Sequence, residues 1–97
     1  MTLHVSLRDG FQNATVTITV NGSDAYRKSN VTTNLTISHA DSIDVPVDGP
    51  TARLEVAVDG GPRRTEDIPV AETPYVNVRI TDGAMEFLRS SEPIPML

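Results

Sequence analysis

Residues 13–23 read "NATVTITVNGS" and alternate apolar with polar side chains up to an Asn-Gly pair. Successive residues of an extended chain face opposite ways, so Ala14, Val16, Ile18 and Val20 share one side and Thr15, Thr17 and Thr19 the other. Threonine's β-branch suits a pleated, solvated surface. Asn21-Gly22 supplies the positive φ angles of a tight hairpin turn. The same stretch holds two Asn-x-Ser/Thr triplets, Asn13-Ala14-Thr15 and Asn21-Gly22-Ser23. It therefore reads either as a half-buried strand running into a hairpin or as the glycosylated surface of an exported protein.

The pattern extends in both directions. Leu3, Val5 and Leu7 precede it; Ile43, Val45 and Val47 follow, then Ala52, Leu54, Val56 and Val58, then Val76, Val78 and Ile80, with Met85 and Phe87 last. Of the six glycines, five follow Asp or Asn and the sixth follows Gly60, which punctuates the chain about every ten residues. No long segment carries helical spacing. The expectation is an all-β fold, an antiparallel β-sandwich of seven to nine short strands, because wholly apolar faces on each strand must meet another sheet. Residues 24–28, "DAYRK", read as a charged edge strand, and residues 31–37, "VTTNLTI", as a strand turning Val31, Leu35 and Ile37 inward. Pro46 and Pro69 mark edges or bulges, and Pro74 fixes the start of a strand over 75–81.

Ninety-seven residues make one domain, assigned to 1–91, with 92–97 as an extended tail. Aromatic residues are 4% and tryptophan is absent, so the core rests on Val, Ile and Leu. The net charge of −5 and the lack of any basic cluster larger than a pair argue against nucleic acid and against an anionic membrane. Without cysteine there is no disulfide, thiolate metal site or cysteine nucleophile, which leans towards a reducing compartment. The amino terminus shows no signal-peptide pattern and no apolar run is long enough for a membrane helix. A cytoplasmic location is the expectation; an exported form would need a leader since removed.

The stretch from Ala14 to Val58 resembles a transthyretin-like (prealbumin-like) sandwich, the fold shared by carboxypeptidase regulatory domains. The resemblance is carried by "ATVTITV", "VTTNLTI", "HADSIDVPV", the "DGP" turn and "TARLEVAV". It implies a scaffolding or recognition module, although a shared fold does not transfer function. Immunoglobulin-like and fibronectin type III sandwiches stay open as alternatives.

Motifs for chemistry are sparse. Asn30-Val31-Thr32 and Asn34-Leu35-Thr36 bring the sequons to four, yet a threonine-rich sheet with asparagine near its turns produces such triplets freely. Asp41, Asp44 and Asp48 lack calcium-loop spacing. Ser38-His39-Ala40-Asp41 holds the residue types of a hydrolytic triad, but triads are assembled from distant positions. His4 alternates with Leu3 and Val5 and so faces outward. No catalytic residue, cofactor site or metal site is assigned. The expectation is a non-enzymatic interaction or structural module. Its contact residues are Thr15, Thr17, Thr19, Asn77 and Arg79 on outward strand faces and Ile94, Met96 and Leu97 in the tail, serving a protein partner or a homo-oligomer through a sheet edge or the tail. The alternative is a small-ligand or carbohydrate binder using Tyr26 and Tyr75 as a platform.

Overall fold

The computed structural model describes residues 1–34, 36 and 39–93. Eight strands follow one another: β1 (Thr2–Leu7), β2 (Ala14–Val20), β3 (Ser23–Val31), β4 (Asp41–Pro46), β5 (Ala52–Val58), β6 (Arg63–Ile68), β7 (Tyr75–Thr81) and β8 (Ala84–Ser90). They form two four-stranded sheets, sheet A in the order β4-β1-β7-β8 and sheet B in the order β3-β2-β5-β6. Every pairing is antiparallel except β1 with β7, which run parallel and set His4 beside Tyr75 and Ser6 beside Asn77.

The four central strands supply the core. Leu3, Val5 and Leu7 of β1 and Val76 and Val78 of β7 face Val16, Ile18 and Val20 of β2 and Ala52, Leu54 and Val56 of β5; all are buried. Phe11, Val31, Ile68, Val70 and Met85 are also buried, while Ile43, Val45, Val58, Ile80 and Phe87 pack against this cluster from its margins. The alternation in the sequence thus marks the inner faces directly.

Edge strands behave differently. The inner side of β6 carries Arg64 and Glu66, which pair with one another, and Arg64 also lies 6.0 Å from the ring centroid of Phe87 on β8. Arg89 on β8 comes within 4.0 Å of Glu66 and donates to the Asp67 carbonyl at 3.5 Å. On the opposite side of the sandwich, the Tyr26 hydroxyl of β3 donates to Asp41 of β4 at 2.8 Å, with the Lys28 ammonium 3.4 Å from the same oxygen. Inward charges on edge strands discourage pairing with another molecule. Pro46 lies in edge strand β4, and Pro69 directly follows edge strand β6.

Two local expectations are corrected. "DAYRK" is part of a nine-residue β3 rather than a short strand. Among the described residues the expected strand over 31–37 does not extend past Val31, where β3 ends, and an isolated bridge joins Asn34 to His39. The competing interaction is the buried Thr33 hydroxyl, which accepts from the Phe11 amide at 3.1 Å and donates to the Arg8 carbonyl at 2.5 Å, tying this segment to the β1–β2 loop. Leu35 and Ile37 lie outside the described residues.

Glycine is required most strictly at position 10. Its φ is +92°, and a Cβ there would run into the Ile80 carbonyl oxygen. Gly60 has φ +72° with open space around it. Gly60→Ala is expected to cost about 1–2 kcal/mol from the left-handed backbone alone, and Gly10→Ala clearly more, as read from urea unfolding midpoints. Thr33→Val leaves a buried amide and a buried carbonyl without their partner and is expected to cost about 1–3 kcal/mol in the same assay.

Candidate functional site

The outer faces of the two sheets differ in character. On sheet B, the threonines of β2 alternate with ionic pairs in strand register. Arg27 donates to Thr17 at 3.2 Å and lies 3.6 Å from Asp59; Thr19 donates to Asp24 at 3.2 Å. Arg53 meets Asp67 at 3.2 Å, and Glu55 accepts from Thr65 at 3.1 Å. Such exposed pairs contribute little individually and describe a hydrated, self-satisfied surface.

Sheet A presents a groove of about 240 Å³ on its outer side. The parallel β1–β7 pairing and the antiparallel β1–β4 pairing bring His4, Tyr75 and Asp44 into one row and Ser6, Asn77 and Ser42 into the next. His4 Nδ1 is 2.6 Å from Asp44 Oδ1. A carboxylate only accepts, so Nδ1 carries a proton and donates to Asp44. The His4 and Tyr75 rings stack at 4.5 Å between centroids and 11° between planes, so one face of Tyr75 is already occupied. Asn77 and Arg8 are 8% and 9% exposed although both point away from the core. Asn77 lies on central strand β7 between Ser6 of β1 and Leu88 of edge strand β8, and Leu88 is 41% exposed. Pro93, past the end of β8, also lines the groove.

The residues expected as one contact surface are divided between these faces. Thr15, Thr17 and Thr19 lie on the outside of sheet B, Asn77 and Arg79 on the outside of sheet A. Arg79 is held by Glu86 on β8 through bonds of 3.0 and 2.8 Å. Of the two tyrosines expected as a possible ligand platform, Tyr26 sits on β3, half-buried and turned inward to Asp41, whereas Tyr75 stands on the outer side of sheet A. Ile94, Met96 and Leu97 lie outside the described residues. A larger basin, about 440 Å³, opens between the β2–β3 turn and the end of β4.

The other motifs resolve into structural roles. Asn13, Asn21 and Asn30 adopt φ of 48°, 51° and 58°, the left-handed conformation that asparagine tolerates, and Asn34 Oδ1 accepts from the Thr36 amide at 3.0 Å. Residues 14–20 form a strand. Asp41, Asp44 and Asp48 do not converge, since Asp41 binds Tyr26 and Lys28 while Asp44 binds His4. Among the described residues no group of three acidic, histidine or cysteine side chains is placed to hold a metal ion. The turn sequence 38–41 forms no triad among the described residues: His39 Nδ1 is buried without a hydrogen-bond partner, and Ser38 lies outside them. Sequence reading missed the His4–Asp44 pair, because only strand pairing brings positions forty residues apart together.

No family model, curated protein or solved structure matches this chain. No helix among the described residues is long and apolar enough to cross a membrane.

Asp41 is the best-defined electrostatic element near the site. Burial raises its pKa, but the hydrogen bonds from Tyr26, the Ser42 amide and Lys28 outweigh burial and hold the carboxyl below its ordinary value of 3.8. A depressed carboxyl adds stability above its unfolded pKa and loses it as pH falls through the folded one. Asp41→Asn is therefore expected to destabilise the protein at pH 5–7, with the gap to wild type narrowing as unfolding is measured towards pH 2. The Tyr26 phenol is displaced the opposite way, upward from 10.0, by burial and then by Asp41, so the native state weakens as pH rises above about 10.

Proposed function

We infer that this chain is a non-enzymatic interaction module with a transthyretin-like arrangement of strands, and that its contact surface is the outer face of the β4-β1-β7-β8 sheet. The strand orders β4-β1-β7-β8 and β3-β2-β5-β6 support the fold reading. One observation carries the functional reading: the outer face of sheet A buries two outward polar side chains, Asn77 and Arg8, beside its groove, whereas the groove of similar volume on the outside of sheet B is lined by Arg53, Glu55 and Thr65, which bond to neighbours along the sheet. A mixed lining of ring, hydroxyl, amide and aliphatic groups is the composition of a recognition surface. The cysteine-free composition fits a cytoplasmic setting.

A second reading, a small polar ligand in the same groove, is favoured by the size of the groove and by the oriented His4 ring. Carbohydrate stacking on paired tyrosines has no support, because Tyr26 is absent from the groove.

The test is quantitative affinity capture from the native host with three baits. These are the wild type, a face-A variant (Ser42→Arg with Leu88→Asp) and a face-B variant (Thr17→Arg with Thr65→Arg). A partner held by the wild type and the face-B variant, but reduced at least about tenfold by the face-A variant, is the expected result. The reverse pattern overturns it. Capture of nothing, together with a thermal shift of several degrees by one metabolite that the face-A variant abolishes, establishes the second reading.

A further inference from the structure

Asn77 lines the groove on sheet A with its hydrogen-bonding capacity unused. It points outward from central strand β7, between the inward Val76 and Val78, and is 8% exposed. No described residue hydrogen-bonds its side-chain amide. A buried amide without a partner weakens a fold, so a ligand that completes it gains what a hydrated surface amide cannot give. The amide carries both donor hydrogens and a carbonyl acceptor, so its complement must accept and donate at once. Ser6 and Ser42 stand beside it in one row across β7, β1 and β4, and hydroxyls likewise donate and accept. With strands 4.7–4.9 Å apart the row is about 10 Å long, the span of three extended residues. The stacked rings of His4 and Tyr75 wall it on one side.

We propose that this row is a peptide-backbone recognition site, resting on the face assigned above. Its occupant is an extended, uncharged segment of a partner protein laid across β4, β1 and β7. One extended residue points its N–H and C=O to the same side, as in a hydrogen-bonded strand pair. The Asn77 amide therefore meets both: its NH2 donates to the carbonyl and its Oδ1 accepts from the N–H. Charge complementarity selects a neutral occupant. The charges beside the row are already engaged, since His4 holds Asp44, Glu86 holds Arg79, and Arg8 has an interaction of its own. A carboxylate, phosphate or ammonium group would supply half of the pair that Asn77 needs and bring a charge with no uncommitted counter-charge to meet it. The sheet edges take no part, which separates this mode from strand addition.

The full-length chain is tested with peptides whose sequences are not chosen in advance. A displayed library of random dodecapeptides is panned on the wild type, with the face-A variant as counter-selection, and recovered peptides are synthesised with blocked ends. Expected are binders that saturably shift the Asn77 side-chain NH2 and the Ser6 and Ser42 amides in NMR titration, leaving Thr17 and Thr65 in place. Replacing one peptide amide by an ester, located by scanning, should weaken binding at least about tenfold. Asn77→Leu should weaken it as far while raising the urea unfolding midpoint, because the unpartnered amide is gone. A lowered midpoint instead assigns Asn77 to the fold and overturns the proposal. If Asn77→Leu does not fold, Asn77→Thr serves with the same expected loss of binding. Recovery of no peptide overturns the proposal, as do binders that tolerate the loss of Asn77 or that need a charged side chain but no particular main-chain amide. Saturable, Asn77-dependent shifts with N-methylacetamide and no peptide binder would assign the site to a small free amide and overturn the peptide as occupant. Should Asn77→Leu keep the partner that the face-A variant loses in host capture, this inference fails and the assignment of the face stands.

Discussion

The structure depends on one constraint: each of four central strands has an aliphatic face that must leave water. With no tryptophan and aromatics at 4%, rings supply little of the interior beyond Phe11, so Val, Ile and Leu from two sheets must interdigitate at close range. Fully burying one such side chain stabilises the fold by roughly 1.5–3 kcal/mol, and ten of the largest are exposed by less than 2%. A single sheet offers these residues no partner. Two sheets of four do, and that fixes β1 and β7 at the centre of one and β2 and β5 at the centre of the other.

Once the centre is set, the periphery has a different problem. Each sheet leaves two edges, and the sandwich is open along both sides. Here the inward positions of the edge strands hold Tyr26, Lys28 and Asp41 on one side and Arg64, Glu66 and Arg89 on the other. These groups are partly hydrated, so their contribution to stability is modest. Their effect is on specificity: an added strand would have to bury charge, and a slip in register would carry charge into the core.

This division explains what the sequence discloses. The central strands were legible because their inner faces are uniformly apolar: Leu3-Val5-Leu7, Val16-Ile18-Val20, Leu54-Val56 and Val76-Val78 all emerge from period two alone. The hairpin turns were legible too, since Asn21-Gly22 and Asp82-Gly83 take the paired positive φ values that join adjacent strands. β3 and β6 were not. Their inner residues are Tyr26 with Lys28 and Arg64 with Glu66, so alternation is invisible and pairing with β2 and β5 decides the structure. Beyond Val31 the strand-like composition gives way at Thr33, whose hydroxyl bonds across to Phe11 and Arg8. Residue type alone says nothing of that partner.

The candidate site lies further beyond local reading, because it is made by topology. His4 belongs to the first strand, Asp44 to the fourth and Tyr75 with Asn77 to the seventh, and each read alone is an unremarkable outward residue. The parallel β1–β7 pairing puts His4 and Tyr75 side by side at a spacing where their rings stack. The antiparallel β1–β4 pairing places Asp44 where it accepts from His4 Nδ1. Neither pairing is required by the outward residues themselves; both follow from burying Leu3, Val5 and Leu7 on the reverse side of β1. The core therefore dictates which polar groups meet on the surface, and an outward substitution at His4, Asp44 or Tyr75 alters the groove while leaving the force that assembles it intact.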